Sequence, residues 1–277
     1  EVIKKSNLKP QDIDDIIIGQ VLTAGAGQNP ARQAGIKAGL PIEKPAYIIN
    51  QVCGSGLRSI AAGYQSIISN DSKIVVAGGQ ESMTNSPHTI NYRNGEKLEE
   101  TKLVDSMIKD GLWDAFNGYH MGVTAENVAQ KFQVTRKDQD KFAFDSQTKA
   151  LKAQKENKFD DEILPFTIEL QKGSSVFNKD EHPRKGISIE ALQRLKTVFQ
   201  KDGTVTAGNA SGINDGAAAV VLMSKEEAEK RGVRPLAEIK SWASCGVDPS
   251  VMGTGPIPSS KKALQIAGWE SKDLDLI

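Results

Sequence analysis

Three short apolar runs constrain the fold of this chain more than any other feature. Residues 15–21, 46–52 and 73–79 are rich in β-branched side chains, and polarity does not alternate along them. Contiguous apolar runs of this length are typical of strands that are buried on both faces. Helical patterns lie between them, at residues 33–38 and 55–69. Strands that alternate with helices indicate a mainly parallel sheet covered by helices.

The middle of the chain has a different texture. Residues 85–105 are polar and short of strand signals, whereas residues 123–157 have the pattern of one or two long charged helices, each with one packed face. The apolar strand pattern returns at residues 215–223. We therefore expect residues 83–213 to form an insertion, and the strands at its two ends to belong to one sheet.

The last part of the chain repeats a pattern from its beginning. After a helix at residues 225–231 and a strand at 237–244, the helix at 261–267 is followed by an acidic turn at 272–277. Residues 11–16 have the same order of helix end, acidic turn and strand entry. The repeat is either a duplication or a chance similarity of a common turn. A duplication predicts that this sequence stops early in a second half.

Composition argues against several classes of protein. The 277 residues contain 35 Lys and Arg and 35 Asp and Glu, so no net positive charge attracts nucleic acid or an anionic membrane. No apolar run approaches the ~20 residues of a membrane span. Cys53 and Cys245 are too few for a disulfide framework or a cysteine-rich zinc site, which fits a reducing compartment. The sequence thus predicts a cytoplasmic protein without a metal, although it does not begin with Met and so leaves organellar targeting open.

Cys53 is the strongest candidate for chemistry. It stands between the strand at residues 46–52 and the helix that begins near Ser55. A helix N-terminus offers unpaired N–H groups and a positive dipole end, which favour a thiolate. Gly54 and Gly56 permit a sharp turn, so the position resembles a nucleophile elbow. A small buried cysteine at a tight turn is the alternative.

Partners for such a nucleophile are harder to choose. The chain has three histidines, His88, His120 and His182, and spacing identifies none of them as a base. His120 precedes a helix and could line a pocket. The glycine-rich residues 204–216 precede a strand and offer backbone donors and room for a ligand, or else form an irregular loop.

Five motifs in order resemble the thiolase family. They are Val-Cys-Gly-Ser-Gly at 52–56, Gly-Gly-Gln-Glu-Ser-Met at 78–83, Tyr-His-Met-Gly at 119–122, the glycine-rich stretch 203–216, and Gly-Val-Asp-Pro at 246–249. The resemblance implies a thiolase-like αβαβα layered fold of two similar halves. It assigns residues 1–82 and 214–235 to the first half, without its first strand and helix. Residues 83–213 are then an inserted CoA-binding loop domain, and residues 236–277 begin an incomplete second half.

The resemblance also implies a reaction and a site. The family condenses two acetyl-CoA to acetoacetyl-CoA and CoA, or runs the reverse thiolysis, through an acyl thioester on the cysteine that matches Cys53. Arg184 matches an arginine near the CoA nucleotide, and His120 and Ser211 match contacts to pantetheine. The matched pocket walls are Leu112, Met121, Phe199, Ala207, Gly208 and Ile213. The CoA thioester is the substrate, so no further cofactor is expected.

The departures from the family leave alternatives open. Its Asn-Glu-Ala-Phe, Gly-His-Pro and Cys-Ile-Gly-Gly-Gly motifs do not occur in the sequence, so we expect no turnover at an enzymatic rate from these 277 residues. A longer-chain 3-ketoacyl-CoA thiolase of β-oxidation and a non-catalytic CoA-binding or oligomerising fragment are the alternatives. Met121 would narrow the acyl end of the pocket, which favours the short-chain type. The resemblance further implies a homo-oligomer, a dimer or tetramer, with residues 86–100 as either a tetramer contact or a mobile surface loop.

Overall fold

The computed structural model describes residues 1–93 and 102–277, and these form two compact units. The first unit comprises Glu1–Trp113, Ile213–Cys245 and Pro256–Ile277, and the second comprises Asp114–Gly212 and Gly246–Gly255. No helix in the described part of the chain is both long and apolar enough to cross a membrane.

The first unit is built on a four-stranded sheet. Its strands are β1 (Asp15–Gly19), β2 (Ala46–Ile49), β3 (Ile74–Ser82) and β8 (Asp215–Met223), in the order β2-β1-β3-β8. β1 pairs in parallel with β2 and β3, whereas β8 runs antiparallel to β3. The predicted parallel sheet and the predicted shared sheet of the two distant segments are confirmed.

Helices cover both faces of this sheet. Ile16, Ile18, Ile74 and Val76 pack in one buried cluster with residues from the N-terminal helix and its neighbours, Ile3, Leu8, Ile13, Ala31 and Leu40. The helices on this side are α1 (Val2–Lys5) and α2 (Pro30–Lys37). The alternate residues Ile17, Val75 and Ala77 are also buried, and α3 (Ser55–Ile68) contacts β1 and β3. Burial on both faces explains why these strands are apolar without alternation.

Smaller elements complete the first unit. They are the two-residue strands β4 (His88–Thr89) and β5 (Val104–Asp105), a π-helix at Met107–Leu112, and the helices α7 (Lys225–Arg231) and α8 (Pro256–Ala267). The polar segment of residues 85–105, which gave no strand signal, thus carries one minimal antiparallel pair within its described part. The segment of 86–100 proposed as a tetramer contact lies partly outside the described residues.

The second unit is mainly helical. α4 (Met121–Phe132) and α5 (Arg136–Lys155) confirm helices in the predicted region, but only α5 is rich in charged residues, since α4 has just Glu126 and Lys131. A hairpin of β6 (Phe166–Glu169) and β7 (Ser174–Phe177) and a short α6 (Ile189–Gln193) follow. The 3-10 helix at Pro249–Thr254 packs against α4, where Asn127 Nδ2 donates to the Ser250 carbonyl over 2.9 Å.

The division into units differs from the predicted insertion of residues 83–213. Residues 83–113 group with the sheet, and the Thr84 N–H donates to Asp215, the first residue of β8, over 3.1 Å. Residues 246–255 group with the second unit through the 3-10 helix on α4. That the inserted residues bind CoA stays a prediction.

The predicted strand at residues 237–244 is wrong. This segment has no ladder partner in the described part of the chain, and side-chain contacts hold it instead. The Arg58 guanidinium lies 4.8 Å from the centre of the Trp242 ring, and Ser241 Oγ donates to the Ala263 carbonyl over 2.7 Å. A polar and apolar pattern alone does not make a strand where no neighbouring strand is available to pair with it.

The repeated turn has the same geometry at both places. A 3-10 helix occupies Pro10–Asp12 and again Ser271–Asp273. In each, the carboxylate of the last residue accepts a hydrogen bond from the backbone N–H just before the helix. These bonds run from Lys9 to Asp12 and from Glu270 to Asp273, both over 2.8 Å. A residue shortly after the preceding helix, Asn7 or Gly268, has positive φ. The first turn enters β1, but the predicted strand entry at 272–277 forms no strand.

Candidate active site

Cys53 lies where β2 gives way to α3. The thiol is free, its residue is exposed, and Gly54 is the N-cap residue of α3. No side chain caps this helix, and the Gly54 and Ser55 N–H groups donate to the Gln51 and Val52 carbonyls over 3.1 and 3.0 Å. The predicted elbow position is therefore present in the structure, and the alternative of a buried cysteine is wrong.

Neighbouring side chains hold the turn in an unusual conformation. Val52 has φ of 47°, a left-handed conformation that is rare for a β-branched residue. Its backbone N–H donates to Asn50 Oδ1 over 2.9 Å. Ser55 Oγ donates to the Val52 carbonyl over 2.6 Å and accepts from the Gln51 N–H over 2.8 Å. These hydrogen bonds compensate the strain of the turn that carries Cys53.

Glycines let α3 approach the sheet directly below this turn. A Cβ at Gly19, the last residue of β1, would lie 2.3 Å from the carbonyl carbon of Ser55. A Cβ at Gly79 would lie 3.4 Å from Gly56 Cα. The buried Ser59 adds a hydrogen bond from the Gly78 N–H to its Oγ, over 3.0 Å. Close backbone packing thus fixes the start of α3, and with it the position of Cys53.

Two predicted pocket residues belong to the same unit as Cys53. Leu112 is the last residue of the π-helix and is half-buried, and Ile213 is exposed. Beyond Ile213, Asp215 accepts hydrogen bonds from both the backbone and the hydroxyl of Thr84. These bonds lower the pKa of Asp215 below its ordinary value. They also join the two ends of the predicted insertion.

His120 and Phe199 form the centre of a second group, in the other unit. Their rings stack with centroids 4.8 Å apart and planes 18° apart. His120 Nδ1 accepts from the Gly122 N–H over 3.0 Å and so caps α4, whose first residue is Met121. Nδ1 is therefore unprotonated, and the neutral ring carries its hydrogen on Nε2. Burial lowers the pKa of His120, which agrees with a neutral ring.

The glycine-rich loop lies near α6. Ala207 and Ser211 are exposed, whereas Gly208 is half-buried. A Cβ at Gly208 would lie 2.5 Å from the side chains of Leu192 and Leu195. The loop is therefore seated on α6 at Gly208, while Ala207 and Ser211 lie on its exposed surface.

The remaining candidates are more scattered. Arg184 is exposed, and its backbone N–H donates to Gln147 of α5 over 2.9 Å. His88 and His182 are exposed, and Cys245 is half-buried with no helix directly after it. Within residues 1–93 and 102–277, no group of three or more His, Cys, Asp or Glu side chains is arranged to hold a metal ion.

Sequence reasoning missed Glu126, Asp140 and Asn209. All three take part in hydrogen bonds with the loop at residues 203–209, and both carboxylates are buried. Asp140 lies in the charged helix α5 and Glu126 in the shorter α4, and an acidic side chain on a helix is ordinarily solvated. Only Asn209, inside the glycine-rich motif, carried a usable signal.

Comparisons with known proteins agree with this geometry. The sequence matches the thiolase N-terminal domain over residues 1–226 and the thiolase C-terminal domain over residues 233–277. It is 56% identical to the acetyl-CoA acetyltransferase of Paracoccus denitrificans over 276 residues, which is 100% of this chain and 71% of that relative. The cytosolic acetyl-CoA acetyltransferase of Rattus norvegicus is 51% identical, with 100% of this chain and 70% of the relative covered.

Solved structures extend the comparison to the fold. A Bacillus anthracis acetyl-CoA acetyltransferase matches with a TM-score of 0.96 and 41% identity, over 99% of this chain and 70% of that one. The acetyl-CoA acetyltransferase of Syntrophomonas wolfei matches with a TM-score of 0.94 and the same identity, over 99% and 69%. The layered α/β fold implied by the sequence motifs is confirmed. The chain belongs to the thiolase family.

Proposed function

We propose that this chain carries acetyl groups as a thioester on Cys53, in the condensation of two acetyl-CoA to acetoacetyl-CoA and CoA or in the reverse thiolysis. The observation that carries the proposal is the exposed thiol at the uncapped start of α3, in a chain 51–56% identical to acetyl-CoA acetyltransferases. The names of these relatives favour acetyl over longer acyl groups.

The first half-reaction needs a nucleophile and a polarised carbonyl. The Cys53 sulfur attacks the carbonyl carbon of acetyl-CoA, a carbon–sulfur bond forms, the bond to the CoA sulfur breaks, and CoA leaves as a thiolate that takes up a proton. The positive end of the α3 dipole would stabilise negative charge that develops on the carbonyl oxygen. The α-carbon of a second acetyl-CoA then loses a proton and attacks the acyl carbon, the bond from that carbon to the Cys53 sulfur breaks, and the released thiolate takes up a proton.

The second unit supplies features that suit CoA. His120 presents Nε2–H, a donor for an amide carbonyl such as those of pantetheine, and it is held there by the cap on α4 and the ring of Phe199. Phe199 also lies with Lys196 and Lys201 around an open cavity of about 440 Å³. Lysines beside an aromatic ring provide the local basicity that a chain of zero net charge needs for a phosphate-bearing ligand.

Release of CoA tests the proposal. The chain mixed with an excess of acetyl-CoA should release one CoA per chain in a first rapid phase, quantified by chromatography. Cys53→Ala should release none, and the matched Cys245→Ala should release as much as the unchanged chain. Release that persists in Cys53→Ala, or depends on Cys245, would contradict the assignment.

Three further parts of the proposal rest on the family. We place the chain in a homo-oligomer, a dimer or tetramer, and in the cytoplasm, as in the rat relative that is named cytosolic. We assign no cofactor besides the CoA thioester, which is the substrate. Sedimentation of the purified chain at several concentrations measures the first point directly.

A further inference from the structure

α4 and α5 each direct one buried carboxylate at the glycine-rich loop. Glu126 is 4% exposed and Asp140 is 1% exposed, although acidic side chains on helices are ordinarily solvated. A buried carboxylate is costly unless its oxygens accept hydrogen bonds. The groups that donate to these two carboxylates therefore indicate what they are there to hold.

Glu126 holds the beginning of the loop. The Thr204 N–H lies 2.8 and 2.9 Å from its two oxygens, the Thr204 hydroxyl donates over 2.7 Å, and the Val205 N–H donates over 2.8 Å. A Cβ at Gly203 would lie 2.3 Å from Glu126 Oε1, so the carboxylate occupies space that this glycine leaves open. Every partner is a donor, which an accept-only carboxylate satisfies and an amide does not.

Asp140 holds the end of the loop through Asn209. Asn209 Nδ2 donates to Asp140 over 3.1 Å and to the Thr204 carbonyl over 3.1 Å, and its Oδ1 accepts from the Thr206 N–H over 2.7 Å. Arg136 Nε pairs with the other oxygen of Asp140 over 2.8 Å. Thr204 therefore hydrogen-bonds to Glu126 of α4, Asn209 hydrogen-bonds to Asp140 of α5, and Asn209 links the two ends of residues 204–209. Gln139 Nε2 of α5 also donates to Thr204 Oγ1, over 2.8 Å.

Ala207 and Gly208, two predicted walls of the CoA pocket, lie between the hydrogen-bonded residues Thr204 and Asn209. α4 carries His120 at its N-terminus and Glu126 in its interior, so one rigid element sets both the predicted pantetheine donor and the loop. We infer that Glu126 and Asp140 are positioning residues, which hold residues 204–209 in the shape that receives CoA. This inference rests on the proposed CoA-binding function.

Glu126→Gln tests the inference with two measurements. The amide that replaces the carboxylate would place its NH2 group opposite the backbone N–H groups of Thr204 and Val205, and these would lose an acceptor. Hydrogen exchange of the Thr204 and Val205 amides should therefore speed up. The dissociation constant for CoA, from titration calorimetry, should rise about tenfold, the change that one unsatisfied buried donor corresponds to. The alkylation rate of Cys53 by iodoacetamide should stay unchanged. A merely structural role would lower the unfolding midpoint without changing CoA affinity well below it.

Asp140→Asn keeps the test decisive if Glu126→Gln does not fold, and it should raise the dissociation constant in the same direction. Thr135→Ala is the control, because its exposed side chain caps α5 through hydrogen bonds with Asp138 rather than with Glu126 or Asp140. Faster exchange with CoA affinity within about twofold of the unchanged chain would overturn the inference. If the unchanged chain binds no CoA, the proposed function fails, and unaltered amide exchange in both variants would separately refute the positioning role.

Discussion

The turn at Cys53 and the loop at residues 204–209 are held by opposite means. At Cys53 the absence of side chains is decisive, because Gly19, Gly56 and Gly79 allow a helix to touch two strands. At the loop, long acidic side chains reach in from α4 and α5 and satisfy backbone donors. The first arrangement resists added volume, and the second resists a change of charge or hydrogen-bonding pattern. Each therefore has its own sensitive substitution.

Gly19→Ala should have the largest effect. The new methyl group would lie 2.3 Å from the Ser55 carbonyl carbon, and backbone atoms on both sides leave nothing flexible to move. We expect a loss of about 3 kcal/mol or more in the free energy of unfolding, measured by urea denaturation. Gly216→Ala is the control, since no atom lies within 4 Å of its added Cβ. Equal stability of the two variants would refute the packing argument.

Gly208→Ala makes the same change in the loop and should cost less. Its Cβ would meet the ends of the Leu192 and Leu195 side chains at 2.5 Å, and side-chain ends rotate away more easily than backbone. We expect a loss of about 1 kcal/mol, by the same denaturation measurement. A loss as large as that of Gly19→Ala would show that the loop, too, is limited by volume.

The cap on α4 should give the smallest effect, as a pH dependence. Burial lowers the pKa of His120 below the ordinary value near 6.5, so the unfolded chain takes up this proton more readily than the folded chain. His120 therefore contributes stability above pH ~6.5 that is lost as the pH falls through the folded pKa.

His120→Asn keeps an acceptor at the N-cap but removes the titration. Its unfolding midpoint should fall less steeply than that of the unchanged chain when the pH is lowered from ~7 to ~5. The comparison requires urea denaturation of both proteins across this pH range. The same slope in both would mean that His120 does not couple to the stability of α4.

The sequence predicted the turn at Cys53 but not the carboxylates that hold the loop at residues 204–209, for a physical reason. Glycines beside a cysteine at a strand-to-helix junction are contiguous in sequence, so the Cys53 turn could be recognised locally. Glu126 lies 78 residues from its partner Thr204, and nothing near it distinguishes it from a solvated glutamate. Its role depends on tertiary packing, which no local pattern encodes.

The two copies of the repeated turn also differ in tertiary packing, which the local pattern does not encode. Local hydrogen bonds are alike at Asp12 and Asp273, as the sequence repeat predicts. Yet Ile13 after the first turn is fully buried and leads into β1, while Leu274 after the second is half-buried and precedes no strand. The error at residues 237–244 has the same origin, since a strand requires a partner strand as well as a suitable pattern.

The acyl acceptor is identified most directly by locating the acetyl group after the first half-reaction. The chain is treated briefly with acetyl-CoA, quenched in acid and digested, and the peptides are sequenced by mass spectrometry. We predict a single acetyl group, bound as a thioester on the peptide that contains Cys53 and removed by hydroxylamine. An acetyl group on Cys245 or on a lysine, with Cys53 unmodified, would contradict the central claim that the turn before α3 presents the acyl acceptor.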